Sequence, residues 1–118
     1  NERVVYFVKV ETARGVEAVE DIVAVDGVDG LWIGHGDLSV SLGHPGEFDH
    51  PDFVAACDRV IAACQANAKP LGRLVDTVEE GLALCRAGFT FIGYSADAWI
   101  LRDGLGRAIA DMRRGLNR

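Results

Sequence analysis

A chain of 118 residues with a hydrophobic fraction of 49% has enough apolar surface for a buried core and the size of one compact domain. Its net charge of −6 and pI near 4.9 oppose attraction to phosphate backbones, and no Lys and Arg run stands apart, which sets nucleic acid aside as a partner. The longest apolar stretches, Val4 to Val8 and Leu31 to Ile33, are too short to cross a bilayer, and no charged-then-apolar leader opens the chain, so a cytoplasmic protein without membrane contact is expected.

Residues Val4 to Val10 form a β-branched and aromatic run of the kind found in a strand covered on both faces, ended by the polar pair Glu11 and Thr12. From Ala13 to Val25, the spacing of Val16, Val19, Ile22 and Val23 predicts one amphipathic helix, closed by the turn Asp26-Gly27. Gly30 to Gly34 reads as a short strand, and a Gly- and His-rich loop follows it. Pro51 to Ala66 reads as a helix capped by Asp49 or His50, with Phe53, Val54, Cys57, Ile61 and Cys64 on its buried side. A third unit pairs the strand Pro70 to Val75 with a helix opened by Asp76 or Thr77, in which Glu79 and Glu80 suit the positive N-terminal end; it stops at Ala87-Gly88. The fourth joins the strand Phe89 to Tyr94 to a helix from about Ala98 to Leu116, with Arg113 and Arg114 near its C-terminal end. Cys57, Cys64 and Cys85 form no C-x-x-C pair, and the seven-residue spacing of the first two places them on one buried helix face.

Four strands alternating with four helices through short connections argue for a parallel sheet covered by helices. The pattern fits either a small open sheet or half of an eightfold barrel, which needs about 250 residues. The strand-like run so soon after Asn1 suggests a piece of a longer chain. In either architecture the functional end is the C-terminal edge of the strands. Glu11, Asp37, Asp76, Ser95 and Asp97 all fall there. Glu11 and Asp37 follow adjacent strands, and two carboxylates brought close repel unless a cation lies between them. A hard divalent ion such as Mg2+ or Mn2+ suits oxygen ligands and leaves positions open for a keto acid. The structural alternatives are a first-turn helix carboxylate for Glu11 and an N-cap of the turn Leu38-Ser39 for Asp37.

The stretch Ile33-Gly34-His35-Gly36-Asp37-Leu38-Ser39-Val40-Ser41-Leu42-Gly43-His44-Pro45-Gly46 closely resembles the I-G-P-x-D-L-S-x-S-x-G loop of the HpcH/HpaI family of class II pyruvate aldolases. Val8-Lys9-Val10-Glu11-Thr12 resembles its I-E-T strand end, and Val25-Asp26-Gly27-Val28-Asp29-Gly30 its V-x-G-V-D-G turn. The resemblance runs over essentially the whole chain, and implies that residues 1–118 are one partial domain, strands five to eight of a TIM (β/α)8 barrel. It implies that Glu11 and Asp37 ligate a divalent metal, Mg2+ or Mn2+ with Co2+ also in range. It further implies that backbone N–H groups around Gly34, Gly36 and Asp37 cradle the carboxylate of pyruvate or another 2-oxo acid. The reaction implied is reversible retro-aldol cleavage of a 4-hydroxy-2-oxo acid to pyruvate and an aldehyde, with the metal stabilising the enolate. The family's His base and carboxylate-binding Arg come from the other half of the barrel, so the chain alone is expected to be inactive.

Two positions depart from the family pattern. His35 stands where Pro is usual and is either a proton donor or extra ligand, or a loop histidine partly in water. Arg73 interrupts an apolar strand; it either reaches the barrel mouth to bind a substrate carboxylate or is neutralised by an acidic neighbour. His44 and His50 are expected to be solvated. The apolar stripe Trp99, Ile100, Leu101, Leu105, Ile109 and Met112 suits either packing on its own barrel or the exchange of the last helix between subunits of a homo-oligomer, the latter a family expectation. Competing readings are a CoA-thioester lyase of the citrate-lyase β-subunit type and a non-catalytic α/β binding module. No nucleotide fingerprint supports the former, since Gly34 to Gly36 lacks the third glycine.

Overall fold

All four strands pair in parallel and in chain order: β1 (Phe7–Val10), β2 (Gly30–Ile33), β3 (Leu71–Val75) and β4 (Phe91–Tyr94). The computed structural model describes residues 4–116. That order decides between the two architectures left open by the element pattern, in favour of the barrel that the resemblance implies. Right-handed crossovers that always step the same way put every helix on one face. An open doubly wound sheet instead reverses its order at a switch point and covers both faces.

Burial follows the first pattern. Val10, Leu31, Ile33, Leu71 and Val75 face the helices and are buried, whereas Lys9 and Phe91 on the opposite, concave face are exposed. The aromatic rings of the concave face gather on one another, Phe7 and Trp32 lying 5.2 and 5.5 Å from Phe91. Gly72 makes room for them, because a Cβ there would meet the Trp32 ring at 2.6 Å and the Phe91 carbonyl at 2.9 Å. Such a surface is the inside of a barrel seen from half of it.

Six helices complete the described residues: α1 (Ala13–Glu17), α2 (Val19–Val23), α3 (His35–Ser41), α4 (Pro51–Ala66), α5 (Val78–Arg86) and α6 (Asp97–Leu116). The single helix expected from Ala13 to Val25 is broken at Ala18, where φ is −102° and ψ is 12°. Arg59 of α4 donates to the Glu17 carbonyl at the break (2.9 Å) and to both Glu20 carboxylate oxygens (2.9 and 2.8 Å). The apolar period survives the break, which is why periodicity alone does not reveal it. β1 and β4 begin later than expected, at Phe7 and Phe91. His50 rather than Asp49 caps α4, its Nδ1 accepting from Asp52 N at 3.2 Å. Thr77 rather than Asp76 caps α5, accepting from Glu80 N at 3.1 Å. On α4 the buried side is Phe53, Ala56, Val60, Ala63 and Cys64, and Val54 faces outward. No described residue of α6 is buried, and its apolar stripe is exposed throughout.

Cys64 is buried, Cys57 half-buried and Cys85 exposed. Burial pushes the thiols of Cys57 and Cys64 up to about 11, which suppresses the reactive thiolate. At pH 8 a chromogenic disulfide reagent is therefore expected to label Cys85 quickly and the other two only as the protein opens. Equal fast labelling of all three would contradict this placement.

Candidate functional site

Alternation along β1 sends Phe7 and Lys9 to the concave face, and Glu11 continues that series just beyond the strand. Thr12 then turns the chain into α1, its hydroxyl accepting from Gly15 N at 3.0 Å. On the adjacent strand the ladder extends one bond past β2, Gly34 N donating to Val10 O at 2.9 Å. The chain enters α3 there, with Asp37 in its first turn.

The stretch read from sequence as a loop is thus a helix, held by three contacts that pattern reading missed. Leu38 is fully buried, and its loss to Ala would cost about 2–5 kcal/mol. Ser39, also buried, donates from Oγ to Gly36 O (2.7 Å) and accepts from Gly46 N (2.9 Å). Ser41 Oγ accepts from Ala13 N at 3.0 Å, tying the end of α3 to the start of α1 beside Glu11. These bonds fix Asp37 relative to Glu11.

Between the two carboxylates lies the ammonium of Lys9, 2.6 Å from Glu11 Oε2 and 3.2 Å from Asp37 Oδ2. Its pKa is held above the usual lysine value, chiefly by Glu11 and then by Asp37. The ammonium is thus the partner of the buried Glu11 Oε2. Gly34 is required here: a Cβ would come within 2.6 Å of Lys9 Cε and 2.9 Å of Glu11 Cβ. Two carboxylate oxygens converging on one cation position are the donor set that a hard divalent ion takes. The neighbouring surface is an open cleft of about 300 Å3 formed by Lys9, Trp32, Gly34, Gly36, Asp37 and Leu74, among others.

The remaining candidates separate. The Gly34 N–H is already spent on Val10 O, so an anion at this edge would meet the first-turn N–H groups of Gly36 and Asp37. No side chain caps that turn, and the first intrahelical donor is Leu38 N, which bonds Gly34 O. His35 is half-buried with its ring edge-on to Phe48 at 5.2 Å, and burial, then the Arg73 charge, lowers its pKa. Arg73 does not reach the mouth. It lies buried on the helix side of β3 and pairs with Glu80 at 2.9 Å, the acidic-neighbour alternative. His44 and His50 are not freely solvated: they are half-buried and stacked with centroids 3.4 Å apart, His44 Nε2 lying 3.2 Å from Asp52 Oδ2 and His50 Nδ1 accepting from Asp52 N. Asp76 and Ser95 line a second cleft at the strand edge with Trp99, Arg102 and Asp103 of α6.

Residues 1–103 match the family model described as HpcH/HpaI aldolase/citrate lyase. A 5-keto-4-deoxy-D-glucarate aldolase of Escherichia fergusonii is 34% identical over 107 residues, which make up 91% of this chain and 42% of that protein. The crystal structure of an HpcH/HpaI aldolase/citrate lyase family protein from Burkholderia cenocepacia superposes with a TM-score of 0.87 at 39% identity, covering 95% of this chain and 44% of that one. A citrate lyase β subunit from M. tuberculosis, complexed with oxaloacetate and magnesium, shares the fold at a TM-score of 0.64 and 22% identity, over 80% of this chain and 48% of that one. The chain thus spans less than half the length of these relatives. Among the described residues no helix is long and apolar enough to cross a membrane.

Proposed function

The chain belongs to the HpcH/HpaI aldolase/citrate lyase family, and on that premise we propose that it supplies the metal-binding half of a carbon–carbon lyase. Its sequential parallel sheet is part of a (β/α)8 barrel, the fold of its structural relatives. In our reading residues 1–118 form strands five to eight. The complete barrel would cleave 4-hydroxy-2-oxo acids to pyruvate and an aldehyde, reversibly. The observation that carries this reading is the convergence of Glu11 and Asp37 on one cation position at the C-terminal edge of adjacent strands.

Glu11 and Asp37 would hold the ion, Mg2+ or Mn2+ by donor chemistry, with Co2+ tolerated. Bound there, it would supply Lewis acidity to the carbonyl and carboxylate of a 2-oxo acid and stabilise the charge that develops on cleavage. Gly36 and Asp37 present backbone N–H groups to the acid's carboxylate at the uncapped start of α3, and Gly34 leaves the space in which Glu11 can approach. The family's His base and carboxylate-binding Arg would come from the other half of the barrel, so the chain alone is expected to be inactive. The exposed stripe of α6 suits exchange of that helix within a homo-oligomer, which light scattering on the complete barrel reads.

The test is pyruvate release from a panel of 4-hydroxy-2-oxo acids by the complete barrel, with and without chelator. Release that stops with chelator and returns with Mn2+ supports the reading. Cleavage of an acyl-CoA in its place would move the protein to the citrate-lyase β-subunit type. Binding of neither substrate nor divalent ion would leave an α/β binding module.

A further inference from the structure

We propose that Lys9 is a resident counter-cation of the Glu11–Asp37 pair, holding the two carboxylates together when no divalent ion is bound and weakening the site's affinity for one. This rests on the reading of those residues as metal ligands and adds a residue that tunes them.

The placement follows from the strand. Lys9 precedes Glu11 by two positions, so both project from the same face of β1, and its register partner Trp32 leads along β2 to Gly34. The missing side chain at Gly34 lets the lysine stem pass: a Cβ there would sit 2.6 Å from Lys9 Cε and 3.0 Å from Glu11 Oε2. Among the described residues the polar contacts of Lys9 Nζ are these two carboxylates, 2.6 and 3.2 Å away on different secondary-structure elements. A surface lysine with a four-carbon stem has many rotamers in water. One that joins Glu11 to Asp37, an acid 28 residues from the lysine in sequence, is held by their combined charge.

A small hard cation needs oxygen ligands at about 2.0–2.2 Å, and so occupies the space in which the ammonium now lies between the same oxygens. Both cannot occupy it. The ion must displace Nζ from the gap, and the displaced charge stays near by because its stem is anchored on β1. Two costs then oppose metal binding: loss of the ion pairs and repulsion between the ion and an ammonium a few ångströms away. Conversely, without the lysine and without metal, the carboxylates face each other across the gap with no cation between them. The side chain is half exposed on the concave face, with the open cleft beside it to receive it once displaced.

The experiment is a Mn2+ titration of the complete barrel, read by calorimetry and by the electron paramagnetic resonance of free Mn2+, for the unaltered protein, Lys9→Gln, Lys9→Met and Lys9→Arg. Melting is followed in EDTA alongside. Lys9→Gln and Lys9→Met are expected to bind Mn2+ about tenfold or more tightly and to melt lower in EDTA, while Lys9→Arg, which keeps the charge, stays within about threefold. Equal or weaker binding in both neutral variants overturns the proposal, and either one that folds suffices to decide. Glu11→Gln and Asp37→Asn in the same titration separate the two levels. If they abolish binding and the Lys9 variants change nothing, only this inference fails. If they leave binding intact, the metal reading fails and takes this inference with it.

Discussion

Glu11→Gln and Asp37→Asn, each made in the complete barrel, are expected to abolish measurable Mn2+ binding and to lower kcat by about a thousandfold or more, equivalent to some 4 kcal/mol of barrier. Each substitution keeps the shape of the side chain and removes the charge that a hard cation requires. The structural consequences are small by comparison. The Lys9 ion pairs join side chains 39–71% exposed, so their loss is worth about 0–1 kcal/mol. Asp37 also sits near the positive end of α3, where a carboxylate contributes roughly 0.3–1 kcal/mol. Melting points close to the unaltered protein, with metal binding and turnover both gone, would therefore locate the loss in the site. Retention of both by either variant would remove that carboxylate from the metal centre.

The position of this pair was legible because it depends on strand ends, and strand ends are marked by abrupt polar breaks in apolar runs. Glu11 after Val10 and Asp37 shortly after Ile33 needed no more than that, together with the rule that function gathers at one edge of a parallel sheet. From the element pattern alone the half-barrel was one of two solutions, and the family resemblance chose it. Strand order, which separates them, depends on pairing between residues distant in sequence, such as Ile33 with Arg73.

What escaped was set by polar contacts across elements. α3 hides behind glycines at positions 34 and 36 and a histidine between them, all poor helix formers. It folds because Leu38 is buried and Ser39 and Ser41 tie it to other segments, contacts no periodicity encodes. The break at Ala18 depends on Arg59, some forty residues away. Lys9 was passed over: a charge in an apolar strand on the same face as Glu11 marks it, but its contact with Asp37 lies across elements.

Arg73 carries the second large effect, on stability rather than chemistry. Its side chain is only 10% exposed, with one nitrogen on Glu80 at 2.9 Å, Nε without a partner, and the guanidinium 5.8 Å from the centre of the Phe48 ring. Phe48 in turn packs against His35 and Phe53, so the cation supports the segment that follows α3. Glu80 is 35% exposed and also accepts from Asp76 N at 3.2 Å. The pair is therefore asymmetric. Glu80→Leu strands a buried cation that water cannot reach, and is expected to cost about 2–3 kcal/mol, the lower end for a broken buried pair because Glu80 is partly solvated. Arg73→Met leaves a carboxylate that water and the Asp76 N–H still satisfy, and is expected to cost about 1 kcal/mol. Arg73→Met combined with Glu80→Leu should recover most of the loss, because two apolar side chains replace a pair that must be desolvated to pack. Urea denaturation midpoints of the three variants read this ordering, and a double variant less stable than Glu80→Leu alone would contradict it. The same protein tests the role in binding. With Arg73 on the helix side of β3, the KM for the 2-oxo acid in Arg73→Met should stay within about threefold of the unaltered enzyme, whereas loss of a bidentate carboxylate contact at the mouth would raise it by about tenfold or more. A large KM change at unaltered stability would return Arg73 to the substrate.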